Sequence, residues 1–400
     1  METLAASAIM ASLCCAAPPA SSSPAAAAAP SAPIPLTVTE QVLFKSGEGG
    51  YAVYRIPSLV KTKSGKLLVF AEARRTGKAD HGEIDVVMRG SADAGKTWGP
   101  MQLVWDAGVD TAGNPTPVVD QKTGKIILIS CWNRGSDAES AIMAGTSAAG
   151  RRVFELTSSD EGVTWSAARE ITSSVMKGDW RWYATGPCHA IQMASGRIVI
   201  PANHSDLAPE ADHYRSHVFF SDDGGETWAL GGDAGARTNE STVVEIPGGP
   251  LVLNMRSYEN ANQRAITTST DGGVTWSDTK LDPQLDEPRC QASLLAVTSE
   301  GKQYFLFSNP ASTKRDHMTV KWSSDAMMTW NAGLAVYAGP SAYSDMVMAD
   351  EGTLALAFER DAYAQISLIL APLAGIVAVP QTLAQGVGAV PNPPPRKKEK

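Results

Sequence analysis

Apolar residues along this chain come in short runs, such as Val42-Leu43-Phe44, Val53-Tyr54 and Ile126 to Ile129, set off by Gly, Thr, Ser and Trp. Helical spacing of apolar positions is scarce. Short runs bounded by turn residues read as strands, so the pattern predicts an all-β protein. Ile126-Ile127-Leu128-Ile129-Ser130-Cys131-Trp132 has no polar alternation in its first half and reads as a fully buried strand.

One phrase punctuates these strands. Ser-x-Asp-x-Gly-x-Thr-Trp occurs at Ser91 to Trp98, Ser158 to Trp165, Ser221 to Trp228 and Ser269 to Trp276, and a fifth copy from Ser323 to Trp330 has Met327 in place of the glycine. Successive copies start 67, 63, 48 and 54 residues apart, an interval that suits a four-stranded sheet with its loops. Repetition at that period reads as the blades of a propeller. Within the phrase, Asp can bond the backbone ahead of it and Gly supplies a positive φ, which together make a tight hairpin. The closing Trp is placed to pack between neighbouring sheets. The phrase lacks the alternating ligands and terminal Glu of a calcium loop, so it predicts structure and no metal. The fifth copy, without its glycine, is expected to be distorted.

Composition narrows the class. Of the 400 residues, 43% are hydrophobic and 19% charged, which is enough apolar material for a sizeable core. The net charge of −8 argues against nucleic acid or an anionic membrane surface as partner. Cys131, Cys188 and Cys290 are single and widely spaced, and read as buried thiols. Residues 1–35 do not look folded: Leu4 to Ala17 is a weakly apolar run of small residues, and Pro18 to Pro35 is low in complexity. This predicts a secretory or lipoprotein leader with Cys14 or Cys15 as the lipidation candidate, and a protein that is secreted, periplasmic or lipid-anchored at the cell surface. The folded part is expected over 36–378, with 379–400 a disordered Pro-rich basic tail. No later stretch is long and apolar enough to span a bilayer.

Within the folded part, Val53-Tyr54-Arg55-Ile56-Pro57 sets an arginine between apolar strand residues, where burial demands a partner. Taken with the repeated phrases, Tyr-Arg-Ile-Pro resembles the sialidases (neuraminidases), whose family carries this motif ahead of repeated Asp boxes on a six-bladed β-propeller. The resemblance runs from about Val42 to Leu373. It implies that a substrate carboxylate is held by three arginines. Arg55 takes the first place, and Arg256 in Leu253-Asn254-Met255-Arg256-Ser257 the second. Arg315, after Asn309-Pro310-Ala311-Ser312-Thr313-Lys314, takes the third. Glu359 in Leu356-Ala357-Phe358-Glu359 matches the glutamate that steadies the first arginine. Asp80, in the loop Thr76-Gly77-Lys78-Ala79-Asp80-His81-Gly82-Glu83, matches the general acid/base, with Glu83 and Asp85 as rivals on spacing, and Arg74 aligns with an arginine near the sugar. Tyr343 in Ser341-Ala342-Tyr343-Ser344-Asp345 matches the nucleophile and Glu240 the glutamate that acts with it. The loops around Trp180 to Tyr183 and Gly186-Pro187-Cys188-His189 are expected to border the pocket, and Asn203-His204 to end a strand near the same face, with a solvated His204 as the equal alternative.

The chemistry behind this set is electrostatic. The anomeric carbon of a sialic acid bears a carboxylate, which would repel a carboxylate nucleophile; a neutral phenol avoids the clash but, at a pKa near 10, needs a base beside it. Guanidinium forks match a carboxylate in plane and stay charged. The resemblance thus implies an exo-α-sialidase, a retaining glycoside hydrolase acting on sialylated glycoproteins, glycolipids or oligosaccharides without cofactor or metal. Two other readings stand beside it: the same fold acting on Kdn or Kdo or transferring the sugar, and a non-catalytic glycan-binding propeller. Intact Asp80, Glu240 and Tyr343 weigh against the last, because a binding module needs no nucleophile pair.

Overall fold

The computed structural model describes residues 38–206 and 213–378. The expectations for the leader, Cys14 and Cys15, and for the tail at 379–400, lie outside the described residues.

Strands dominate, and their pairing runs in antiparallel meanders of four. The first meander is Val53–Lys61, Leu67–Arg74, Ile84–Ser91 and Gln102–Trp105. Later ones begin at Thr111–Val119, at Trp182–Thr185 continued by Ile191–Gln192, at Thr238–Glu245 and at Ser293–Ser299. The long strand Leu334–Met348 ends one meander and opens the last, which passes through Thr353–Arg360 and Gln365–Pro372 and takes its outermost strand, Thr39–Lys45, from the other end of the described chain. We call each meander a blade; the fold is a β-propeller of curled sheets.

The opening strands of the blades meet around one axis through a closed ring of hydrogen bonds. Ser58 Oγ donates to the Pro115 carbonyl, Ala190 N to Pro117 O, Ser241 N to Gly186 O, and Leu294 N to Thr242 Oγ1. Asp345 closes it, accepting from Ser293 Oγ at 2.7 Å and from Leu59 N at 2.8 Å. Asp345 also accepts from the His189 backbone at 2.8 Å and pairs with its ring at 2.7 Å. Fully buried and fully bonded, it ties opening strands of different blades below the pocket, as a buried carboxylate must be satisfied.

Between each pair of neighbouring blades lies an apolar layer. Leu68, Phe70 and Met88 face Ile126, Leu128 and Leu156; Ile127, Ile129 and Val153 face Ile198, Ile200 and Phe219. The predicted buried strand, Ile126–Asn133, feeds both layers from its two faces, which is why it shows no alternation. The box tryptophans join these layers. Trp165 meets Phe70 of the preceding blade edge-on at 5.7 Å, and Trp228 packs on Phe219 while its Nε1 donates to Glu155 at 2.6 Å. Cys131, Cys188 and Cys290 are buried free thiols.

Strand register separates two faces. In the first blade Lys61 pairs with Leu67 and Leu67 with Ser91, so the box sits at that end, while Arg55 pairs with Glu72 and Glu72 with Val86 several residues away. At about 3.3 Å per residue, box and Arg55 are about 20 Å apart along the strand. The fifth copy corrects an expectation: it is not distorted. Met327 N donates to Ser323 Oγ at 3.0 Å, and Thr329 Oγ1 to Asp325 at 2.6 Å, as in the intact copies. Met327 takes the glycine's left-handed conformation at φ 67°. Its side chain packs against the layer that holds Trp330 and Phe305, whereas a Cβ on Gly273 would meet Val218 at 2.7 Å.

Candidate active site

At the end of the strands away from the boxes, the opening strands and their loops line a pocket of about 200 Å³. Arg55 enters from the first strand, where a bulge interrupts the pairing between Arg55 and Ser58. Ile56 is forced to φ 59°, a left-handed conformation that a β-branched residue resists. Glu359 holds both in place: one carboxylate oxygen accepts from Arg55 Nε at 2.6 Å and from Ile56 N at 2.8 Å. Its other oxygen accepts from the Tyr343 backbone at 3.1 Å. One buried carboxylate therefore fixes the arginine and the tyrosine against each other.

Tyr343 Oη donates to Glu240 Oε1, and Arg256 Nη1 donates to the other Glu240 oxygen at 2.8 Å. Arg55 and Arg315 lie over the Tyr343 ring at 5.3 and 5.4 Å from its centroid. Burial first, and then the Glu240 charge, push the Tyr343 phenol well above its usual value, with Arg256 and Arg315 pulling the other way. The phenol thus rests protonated against its acceptor. Arg55 has Glu359 and Arg256 has Glu240, but Arg315 makes no ion pair among the described residues; it donates to Tyr363 Oη at 3.0 Å and to the Arg289 carbonyl at 3.1 Å. A guanidinium left uncompensated beside two others is a place for one anion.

Asp80 also lines the pocket, 2.7 Å from Arg74 Nη1 and 3.9 Å from Arg55 Nη1. Partial desolvation by the pocket walls raises its carboxyl, although the side chain is 69% exposed, but the charges of Arg74 and Arg55 outweigh that and hold it below the usual carboxylate value. Its rivals lie elsewhere. Asp85 is fully buried outside the pocket, bonded by Tyr51 Oη at 2.6 Å and by Arg75 at 3.2 Å, while Glu83 pairs with Arg75 at 3.0 Å. The pocket therefore gathers Arg55, Arg74, Asp80, Glu240, Arg256, Arg315 and Tyr343, with Glu359 directly behind.

The pocket also holds residues that sequence reasoning missed. Glu72 binds Arg74 from behind, accepting from Nε at 2.9 Å and Nη2 at 2.6 Å, and its other oxygen accepts from Asn114 N at 2.8 Å. A signal was present: in Glu72-Ala73-Arg74, positions two apart share a strand face. Glu139, bonded by Tyr214 Oη, and Arg151, lying 4.0 Å over the Trp182 ring, had no such signal. Of the bordering loops, Trp182 does line the pocket. Cys188 and His189 do not; they sit below it, His189 on Asp345. Asn203 and His204 do lie at the end of a strand, Ile198–Ser205, paired with Ala184 and Tyr183 near the pocket, and His204 is not solvated but buried and stacked on Trp180 with centroids 3.4 Å apart. Among the described residues no cluster of three or more His, Cys, Asp or Glu would hold a metal ion, and no helix is long and apolar enough to cross a membrane.

Residues 65–356 match the family model described as a BNR repeat-like domain. An exo-alpha-sialidase of Aspergillus fumigatus is 32% identical over 69% of this chain and 69% of its own length. The chain belongs to the sialidase family. A sialidase of Bacteroides fragilis is also 32% identical, over 78% of this chain and 61% of its own length, so the chain spans less than two thirds of that relative. The solved structure of a Hadza microbial sialidase superposes with a TM-score of 0.77 at 32% identity, covering 83% of this chain and 68% of the other.

Proposed function

We propose that this sialidase-family protein is an exo-α-sialidase that releases terminal α-linked sialic acid from glycoconjugates with retention of configuration. The observation that carries the reading is the Tyr343–Glu240 hydrogen bond set beneath three converging guanidinium groups, one of them uncompensated. Arg55, Arg256 and Arg315 hold the substrate carboxylate and so place the anomeric carbon over the phenol. Glu240 takes the phenolic proton as Tyr343 attacks, and Asp80 gives a proton to the leaving oxygen. The tyrosyl–sialosyl intermediate is then opened by water, with Asp80 as base and the phenolic proton returned from Glu240. The fixed cations are already oriented when the charge on the sugar changes, and so stabilise the oxocarbenium-like state by position.

Two measurements test this together. The protein should release a fluorogenic aglycone from α-linked N-acetylneuraminic acid faster than from the Kdn and Kdo analogues. A fluorinated sialic acid that traps the first intermediate should label Tyr343. Label on Glu240 would replace the nucleophile, and turnover of Kdo alone would replace the substrate. Binding of sialic acid without turnover would leave the glycan-binding propeller.

A further inference from the structure

Asp80 presents a difficulty for the role just proposed. A general acid must carry a proton when the leaving group departs, yet Asp80 lies between two guanidinium groups, at 2.7 Å from Arg74 and 3.9 Å from Arg55. Neither cation is free to swing away. Arg74 is held by Glu72 through two nitrogens, and its Nη1 also grips the loop that carries Asp80, donating to the Lys78 carbonyl at 2.6 Å and the Ala79 carbonyl at 3.1 Å. Glu72 is fixed in turn by Asn114 N, and a Cβ on Gly113 would meet its carboxylate at 2.7 Å, so the packing around it is tight. Arg55 is held by Glu359 at 2.6 Å. The other charged groups facing Asp80 are Arg151 and the carboxyl of Glu139. Lys78 and His81 of its own loop turn to the carbonyls of Ala362 and Gly135. The positive charges around Asp80 are therefore built in.

What does change is the ligand. We propose that Asp80 meets the substrate as a carboxylate and that the substrate's own carboxylate, by occupying Arg55, makes Asp80 take up a proton from solvent and become the acid. The inference rests on the reading of the pocket as a sialic acid site. Bound on Arg55, Arg256 and Arg315, the ligand adds one fixed negative charge within several ångströms of Asp80, and its ring displaces water from the carboxyl. Both effects favour the neutral form. The proton comes from solvent before chemistry, and no bond of the sugar breaks in this step. A ligand without the carboxylate would leave Asp80 charged, so the acid is armed only by the correct substrate.

Proton uptake on binding is the direct test. An unreactive 2,3-unsaturated sialic acid is titrated into the protein by calorimetry in two buffers of different ionisation enthalpy, at several pH values between about 3.5 and 5, around the ordinary aspartate value near 3.9. The wild type should take up a substantial fraction of one proton per ligand, and Asp80→Asn should bind the same ligand with that uptake abolished. Binding without uptake by the wild type, or uptake undiminished in Asp80→Asn, would overturn the arming of Asp80 while leaving the site assignment intact. Failure of the wild type to bind the ligand at all would overturn both.

Discussion

Aspartate is used at both ends of this propeller, in opposite ways. In the boxes each carboxylate is satisfied by its own turn. Asp271, for example, accepts from Ser269 Oγ at 2.7 Å, from Thr275 N at 2.9 Å and from Thr275 Oγ1 at 2.5 Å, all within four residues. At the pocket, Asp80 accepts from its own loop nothing that holds it; Arg74 and Arg55 from two different strands do so. Both kinds of carboxylate are kept charged, but only one is coupled to events elsewhere. A carboxylate fastened by local hydroxyls and amides has nothing left to respond with. One balanced between fixed cations responds to any new charge placed nearby.

The sharpest way to break that comparison is to remove groups at the pocket and look for loss of activity without loss of stability. Tyr343→Phe should reduce kcat by about 10³-fold or more on alkyl and aryl sialosides alike, because no leaving group replaces the missing attack. Asp80→Ala should be slow on alkyl glycosides and far less so on an aryl sialoside, whose phenolate leaves unaided. Equal damage on both substrate types would take the acid role from Asp80. Arg256→Lys keeps the charge but loses the fork, and should lower kcat/KM by roughly 10- to 100-fold, as expected for about 1.5–3 kcal/mol of charge-assisted bonding. An unchanged kcat/KM would remove Arg256 from the carboxylate clamp.

The box face should answer in stability alone. Hydrogen bonds from Thr and Ser lower Asp93, Asp160 and Asp223 to about 2. Their folded values lie below the unfolded value near 3.9, so their support is present above about pH 4 and is lost as pH falls toward 2. Asp160→Ala should melt below the wild type at pH 6, with the gap in Tm closing by pH 2 and activity unchanged at pH 6; a gap independent of pH would mean the carboxylate charge is irrelevant to the hairpin. The smallest effect is at the glycine position. Gly273→Ala should cost about 1–2 kcal/mol from φ and more from the contact with Val218, whereas Met327→Gly should lie within about 1 kcal/mol of the wild type because relief of φ offsets lost packing. Unfolding in urea distinguishes the two.

Much of this was legible along the chain. The boxes were, because each contains its own donors and acceptors and closes on itself wherever it is placed. Met327 was misjudged for the same reason: the local rule asks for glycine, but only the neighbouring blade decides whether a side chain has room. The candidate residues Arg55, Glu240, Arg256, Arg315, Tyr343 and Asp80 could be picked out only because the phrases around them resemble sialidase motifs.

What the amino-acid sequence determined by itself, then, is the class of element, the repeat that closes it and the kinds of group available. The tertiary structure decided which groups meet. Arg55 and Glu359 are 304 residues apart, and Tyr343 and Glu240 are 103 apart. Those contacts exist only because the last blade borrows its outer strand from the start of the fold and the opening strands close into a ring. Glu139, Arg151 and the second bond of Glu72 to Asn114 stayed invisible for the same physical reason. A hydrogen bond within a turn is specified by the spacing of its residues, whereas one across the pocket is specified by the packing of every blade between them.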